Sequence, residues 1–419
     1  MPVWVRIPPL VLKNNQFMKT RETLEEEVKA AFSSSKNVAI QAATGVGKSK
    51  LALDLCKDMI EPGEQPPTVL IVVAEVAHIQ NWKDEITKWS YDGPVSIVCY
   101  ASLKKYRNTV WDVIIFDEAH HLGSELRLDI FSTITANHML FLSATLKQSL
   151  LDTLELHCGS IKVVKMGLQD AFNADILPEP KIILVPLKLD NTHNNELIIE
   201  EWGKKDKQKV AECQWSERRR FFRDKKRIPN GRLLIHCTQQ QKYDYYCEQF
   251  EYYKKRYMCT RNEAIKNKWL QWGSKRKTYL GLIKTAAVVD LLTEIHNKRF
   301  ICFCTNIEQA EFLGSSFAVH SKKKERQFII DAFNSKAINK LFAVGMLQEG
   351  VNLTDIEVGI IVQLDGEERS FIQRFGRTLR SDSPVQYIIY VKGTRDEEYL
   401  KNALENIDEK YIKEYEVHN

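Results

Sequence analysis

The amino-acid sequence predicts an α/β protein: two lobes built on parallel sheets, with a basic and mostly helical insert between them. Three observations predict it. Short apolar runs alternate with helical patterns through the first third of the chain; over residues 190–284 that rhythm lapses into charges and aromatics; after about Thr285 it returns. The divisions expected are 1–188, 189–284 and 285–419, and a chain of 419 residues is too long for one ordinary domain.

Val38-Ala39-Ile40-Gln41, Val69 to Val73, Val113 to Phe116 and Met139 to Leu142 are near-continuously apolar, as parallel strands covered on both faces tend to be. Helices are expected between them at Ser49 to Met59 and Ile79 to Lys88. In the last third, strands are expected at Phe300 to Cys304, Phe317 to His320, Leu341 to Val344, Gly359 to Leu364 and Tyr387 to Val391. The insert carries Arg218-Arg219-Arg220-Phe221-Phe222-Arg223 and Lys225-Lys226-Arg227. Further on come Tyr252-Tyr253-Lys254-Lys255-Arg256-Tyr257 and Lys275-Arg276-Lys277.

The net charge of +5 is mild but unevenly placed, so the insert, more than the whole chain, is basic. Nine cysteines occur without a Cys-x-x-Cys pair and read as reduced thiols of a cytosolic protein, bacterial or in the host cytosol of a phage. Cys302 and Cys304, two apart on a strand, should point to one face. Met1 to Leu12 lacks a signal-peptide core. No apolar run approaches the roughly 20 residues that cross a bilayer. A soluble intracellular protein, acting as a monomer and away from membranes, is expected.

Ala42-Ala43-Thr44-Gly45-Val46-Gly47-Lys48-Ser49 follows the first strand and opens a helix. Gly45 and Gly47 let the backbone curl so that its N–H groups, from Ala43 through Thr44 and Val46 to Ser49, converge on phosphate oxygens. The helix N-terminus adds partial positive charge, Lys48 a full one, and the Ser49 hydroxyl can ligate Mg²⁺. Asp117-Glu118-Ala119-His120 ends a strand at the sheet edge where ligands of open α/β folds collect. There Asp117 would hold Mg²⁺ through its water shell and Glu118 would deprotonate the attacking water. His120 is a candidate coupling residue reaching across the lobes, and His121 an ordinary packed or surface histidine.

Gln373-Arg374-Phe375-Gly376-Arg377-Thr378-Leu379-Arg380 reads as a helix. Gln373, Arg377 and Arg380, at i, i+4 and i+7, project from one face, while Arg374 points elsewhere. Two guanidiniums presented together suit the charge that develops on a transferring phosphoryl group.

Taken together, these motifs resemble the superfamily 2 helicases of the DEAH-box type, leaning toward the UvsW/XPB-like DNA helicases of phages and repair systems. Ala43 to Ser49 resembles motif I, Asp117 to His120 motif II, and Gln373 to Arg380 motif VI. Ser143-Ala144-Thr145 is similar to motif III, Phe303-Cys304-Thr305-Asn306 to motif IV, and Gln348-Glu349-Gly350-Val351-Asn352-Leu353 to motif V. Val72 to Trp89, with Gln80-Asn81-Trp82-Lys83-Asp84-Glu85, is similar to the motif Ia region of DNA-directed members; Tyr100-Ala101-Ser102-Leu103 is similar to the strip before motif II.

The resemblance spans both lobes in order and implies two tandem RecA-like lobes with ATP between them. It further implies that Ser143 and Thr145 link hydrolysis to movement, that Gly350 lies near the nucleotide, and that Thr305 contacts nucleic acid. For the adenine-reading element, Gln16 and Thr20-Arg21-Glu22-Thr23 both align.

Single-stranded or branched DNA is the expected partner, gripped through phosphates. Arg218, Arg219 and Arg220 of the insert would meet phosphates, while Tyr252, Tyr253, Trp269 or Trp272 would stack on bases. The activity expected is that of an ATP-dependent DNA helicase or translocase. An RNA helicase shares nearly every motif, and a non-catalytic nucleic-acid clamp is the reading from another class. A P-loop kinase would need no second lobe with an arginine helix.

Overall fold

A computed structural model describes residues 20–201, 209–223, 231–345, 353–365, 368–379 and 381–415. The first unit ends at Leu177 and the second begins at Pro178. In the first, α1 (Arg21–Ser34) starts at a reciprocal cap between Thr20 and Thr23 and buries the stripe Leu24, Val28, Ala31 and Phe32. Then β1 (Asn37–Ala42), α2 (Lys48–Asp58), β2 (Val69–Val73), α3 (Val76–Lys88), β3 (Val95–Cys99) and β4 (Val110–Asp117) follow. The unit finishes with α4 (Glu125–Phe131), β5 (Thr135–Ser143), α5 (Gln148–Cys158), β6 (Ile161–Met166) and α6 (Leu168–Asn173).

The six strands pair in parallel in the order β3-β2-β4-β5-β1-β6. Every residue of β2 is buried, as are Val113 to Phe116 of β4 and Met139 to Ser143 of β5. Each large apolar side chain so buried contributes about 1.5–3 kcal/mol relative to exposure. The edge strands differ in composition: in β6 Lys162 and Lys165 reach solvent, breaking the apolar run.

The second unit opens with β7 (Lys181–Leu187), β8 (Glu196–Glu201), β9 (Lys209–Gln214), α7 (Arg218–Arg223), β10 (Gly231–Cys237), α8 (Gln239–Thr260) and α9 (Glu263–Ile283). It continues through α10 (Thr285–Glu294), β11 (Phe300–Phe303), α11 (Ile307–Gly314), β12 (Ala318–Val319), α12 (Arg326–Asn334) and β13 (Lys340–Ala343). The last elements are β14 (Val358–Ile361), α13 (Glu368–Thr378), β15 (Val385–Val391), α14 (Arg395–Leu404) and β16 (Ile412–Glu414). Its large sheet is parallel, in the order β12-β13-β11-β14-β15-β7-β16. Cys302 and Cys304 do share a face, with sulfurs 3.9 Å apart and both thiols free.

Two features depart from the sequence reading. Residues 181–187 lie before the expected boundary at 188, yet β7 pairs with β15 and β16 and so belongs to the second sheet. The insert is mostly helical, but it also holds a small sheet, β8-β10-β9. In β10 every second residue is buried (Gly231, Leu233, Ile235 and Cys237), so it has the period of a half-exposed strand. The α8–α9 hairpin is set by its caps. Thr238 and Gln241 box the start of α8, Arg261 turns left-handed at its end, and Asn262 accepts from Ala264 and Ile265 to open α9.

Candidate nucleotide-hydrolysis site

In the first unit the loop between β1 and α2 curls through two left-handed glycines, Gly45 at φ 95° and Gly47 at φ 96°. The positive φ is what demands glycine, and a side chain at either position would also crowd a neighbouring side chain. A Cβ on Gly45 would sit 3.0 Å from Leu177 Cδ2, and one on Gly47 would sit 2.9 Å from Arg21 Nη2. Gly47 caps α2 without a side chain, so the first N–H groups of the helix are left to a ligand or water. Ser49 is the second residue of that helix, and Val46 is buried beneath the loop. Lys48 folds its ammonium back onto Ala42 O at 2.8 Å and Ala43 O at 3.3 Å. Desolvation pushes this amine below the usual lysine range, and Glu118 and Asp117 oppose that shift.

Strand β4 delivers the two carboxylates. Asp117 Oδ2 accepts the indole N–H of Trp82 at 2.8 Å, and Oδ1 accepts the Glu118 backbone N–H at 3.1 Å. The Tyr100 hydroxyl donates to the Asp117 carbonyl at 3.1 Å. Burial, then the neighbouring Glu118, raise the Asp117 carboxyl above its ordinary range. Glu118 itself is left-handed at φ 49°, a conformation costly for a residue with a side chain and common at functional sites.

Beyond it the structure brings two predicted coupling motifs together. His120 Nδ1 is 3.3 Å from Glu118 Oε2 and 3.3 Å from Ser143 Oγ, which donates to Thr145 O at 2.9 Å. His121 packs its ring against Tyr100 and His120.

These residues fit a nucleotide with a hard divalent cation. Ser49 and Asp117 offer oxygen donors, and the Glu118 carboxylate stands next to Asp117 in the chain. Among the described residues no cluster of three or more potential ligands exists.

In the second unit α13 is buried around Phe371, Phe375 and Thr378, and Gln373 and Arg377 are buried with it. Arg374 is structural. Its guanidinium donates to Gln363 O at 2.8 Å and Asp365 Oδ2 at 3.1 Å, holding the helix on the end of β14. Gln16, Gly350 and Arg380, all expected at the site, lie outside the described residues.

Residues 283–382 match the helicase conserved C-terminal domain, and residues 12–100 match the res subunit of type III restriction enzymes. The DNA 3'-5' translocase XPB2 of Sulfurisphaera tokodaii is 21% identical over 407 residues, covering 90% of this chain and 83% of that protein. The two family matches and this relative support a superfamily 2 helicase. The chain is an ATP-hydrolysing enzyme. A Methanocaldococcus jannaschii protein, provisionally described as an ATP-dependent RNA helicase, is 30% identical over 119 residues, 28% of this chain and 14% of its own length. The fold is also that of a type ISP restriction-modification enzyme, LlaBIII, solved bound to DNA. The likeness has a TM-score of 0.54 at 13% identity, over 96% of this chain and 31% of the other. Among the described residues of the helicase no helix is long and apolar enough to cross a membrane.

Two expected nucleic-acid contacts are corrected. Arg218 of the helicase is buried, paired through both terminal nitrogens with Glu248 at 2.9 and 2.7 Å, and stacked 3.6 Å above Trp215. It locks α7 to α8, while Arg219 and Arg220 remain exposed. The Thr305 hydroxyl is buried against α9, so close that a Cβ on Gly281 would fall 2.0 Å from it.

The aromatics divide likewise. Trp272 packs with Tyr245 and Tyr246, and Trp269 stacks on Tyr257. Tyr253 is half-buried, whereas Tyr252 stands half open beside Arg256. Sequence reasoning missed Trp82 as the partner of Asp117. Helical spacing puts His78 and Trp82 one turn apart on α3, but it does not name the carboxylate that Trp82 meets.

Proposed function

We propose that this helicase is an ATP-dependent DNA translocase of the DEAH-box type. In this reading it works as a cytoplasmic monomer on single-stranded or branched DNA, through two lobes and the insert between them, with β7 (Lys181–Leu187) counted in the second lobe. The observation that carries the reading is the chain of contacts from Glu118 through His120 to Ser143 and Thr145, which ties the hydrolytic carboxylate to a segment able to report on it. The backbone N–H groups of Ala43 to Ser49 hold the β- and γ-phosphates, and Lys48 swings from its two carbonyls to meet them. Ser49 and Asp117 would hold Mg²⁺, which would supply charge neutralisation on the phosphate oxygens.

Glu118 takes a proton from water as that water's oxygen bonds to the γ-phosphorus and the bond to the β-phosphate oxygen of the departing ADP breaks. Arg377 and Arg380, with Gln373 beside them, stabilise the charge that builds on the transferring group. The exposed Arg219, Arg220 and Tyr252 of the insert contact DNA.

DNA is favoured over RNA because the relative that covers most of this chain is a DNA translocase, whereas the RNA-helicase relative covers little of it. ATP turnover measured with single-stranded DNA, duplex DNA, forked DNA and RNA tests this. The expected result is strongest stimulation by single-stranded or forked DNA; stimulation by RNA alone would replace the reading with an RNA helicase, since the 2′-OH distinguishes the two.

A further inference from the structure

Helix α3 carries two side chains that hydrolysis as described leaves without a task. His78 and Trp82 are buried to 5% and 2% exposure and, one turn apart, share a face. An indole N–H can only donate, so Trp82 at 2.8 Å from Asp117 Oδ2 fixes the rotation of that carboxylate. His78 is the opposite case: neither of its ring nitrogens has a hydrogen-bond partner among the described residues. Buried polar atoms in folded proteins almost always find partners, and an aliphatic side chain at this position would bury without loss. Trp82 reaches Asp117 from this face of α3, and His78, buried one turn away on the same face, lies on the same side of the helix.

We infer that α3 is the positioning wall of the metal site: Trp82 orients Asp117, and His78 hydrogen-bonds a water in the shell of the divalent cation that Asp117 faces. The inference rests on Asp117 being the metal-side carboxylate. Neither residue touches the phosphates or the reacting water, so both act through the cation's surroundings. Partners of this kind, when removed, weaken metal binding by about 10- to 100-fold.

Mn²⁺ binding followed by electron paramagnetic resonance, with a non-hydrolysable ATP analogue present, reads this without turnover. Trp82→Phe keeps the ring and removes the donor; His78→Leu removes both polar edges; Asp117→Asn tests the underlying assignment. The expected result is Mn²⁺ affinity lowered roughly tenfold or more in Trp82→Phe and His78→Leu, with metal-free nucleotide affinity unchanged. His78→Leu should meanwhile hold or raise the melting temperature, because it removes unsatisfied polar atoms from the interior, and His78→Gln should recover part of the metal affinity. Parental Mn²⁺ affinity in both α3 variants, with Asp117→Asn weakened, overturns the role of α3 and leaves the metal site standing. Parental affinity in Asp117→Asn as well overturns both. Loss of affinity in His78→Leu only together with a lowered melting temperature marks a packing role and contradicts the inference for that residue.

Discussion

His120 Nδ1 stands 3.3 Å from Ser143 Oγ, and the same nitrogen is 3.3 Å from Glu118 Oε2. One imidazole edge is thereby shared between the carboxylate at the end of β4 and the hydroxyl at the end of β5, adjacent strands of one sheet. Ser143→Ala removes a hydrogen bond of about 1 kcal/mol, so strand displacement or translocation per ATP should fall roughly fivefold. ATP turnover itself should stay near the parental rate. Equal loss in both activities would place Ser143 in hydrolysis and not in coupling.

Lys48 and Glu118 should separate binding from chemistry. Lys48→Ala removes the only full charge carried by the loop from Ala42 to Ser49, so ATP affinity measured by equilibrium titration should collapse. Glu118→Gln keeps the shape and loses the base; ATP binding should persist while turnover drops by about 10²- to 10⁴-fold. Hydrolysis by Glu118→Gln at the parental rate would remove the base assignment.

Arg218, Arg219 and Arg220 of α7 should behave differently. Charge reversal of Arg219 and Arg220 should weaken DNA binding and flatten its salt dependence by about one logarithmic unit per lost phosphate contact. Arg218 should act on stability instead. Its partner Glu248 is half exposed whereas Arg218 is buried, so Glu248→Ala strands a guanidinium in the interior and should lower the melting temperature more than Arg218→Ala does. Thermal unfolding beside salt-titrated DNA binding separates the two effects.

Glu311 predicts an acid-sensitive contribution to stability. His320, then Ser315 and Lys323, hold its carboxyl down to about 2 from an ordinary 4.5. A carboxyl depressed in the folded state stabilises the fold above its unfolded value, and the contribution is lost as pH falls from about 4.5 toward 2. Glu311→Gln should therefore melt below the parent near about pH 6, and the gap should begin to narrow below about pH 4.5 and close only near about pH 2. A gap that is independent of pH would show that the contacts matter by packing alone.

Much of this was legible in the sequence because the decisive features are local. A strand of Val38 to Gln41 running into Gly45, Gly47 and Lys48 needs only a few consecutive residues to declare a phosphate loop, and Val113 to Glu118 is as self-contained. What escaped depends on distant pairing. Lys181–Leu187 reads as the tail of the first lobe until Val385–Val391 supplies its neighbour. Arg218 reads as a free cation until Glu248, on a different helix, takes both its nitrogens. Likewise, Trp82 and Asp117 meet across a stretch of sequence in which nothing marks the indole as a donor to that carboxylate.

Arg377 is the guanidinium proposed to stabilise the transferring phosphoryl group. Single-turnover ATP hydrolysis by Arg377→Ala, with DNA saturating and ATP affinity measured in parallel, tests it most directly. The account predicts a fall of about 10³-fold in the hydrolytic step with nucleotide binding and melting temperature retained. Hydrolysis at the parental rate, still stimulated by DNA, would contradict it.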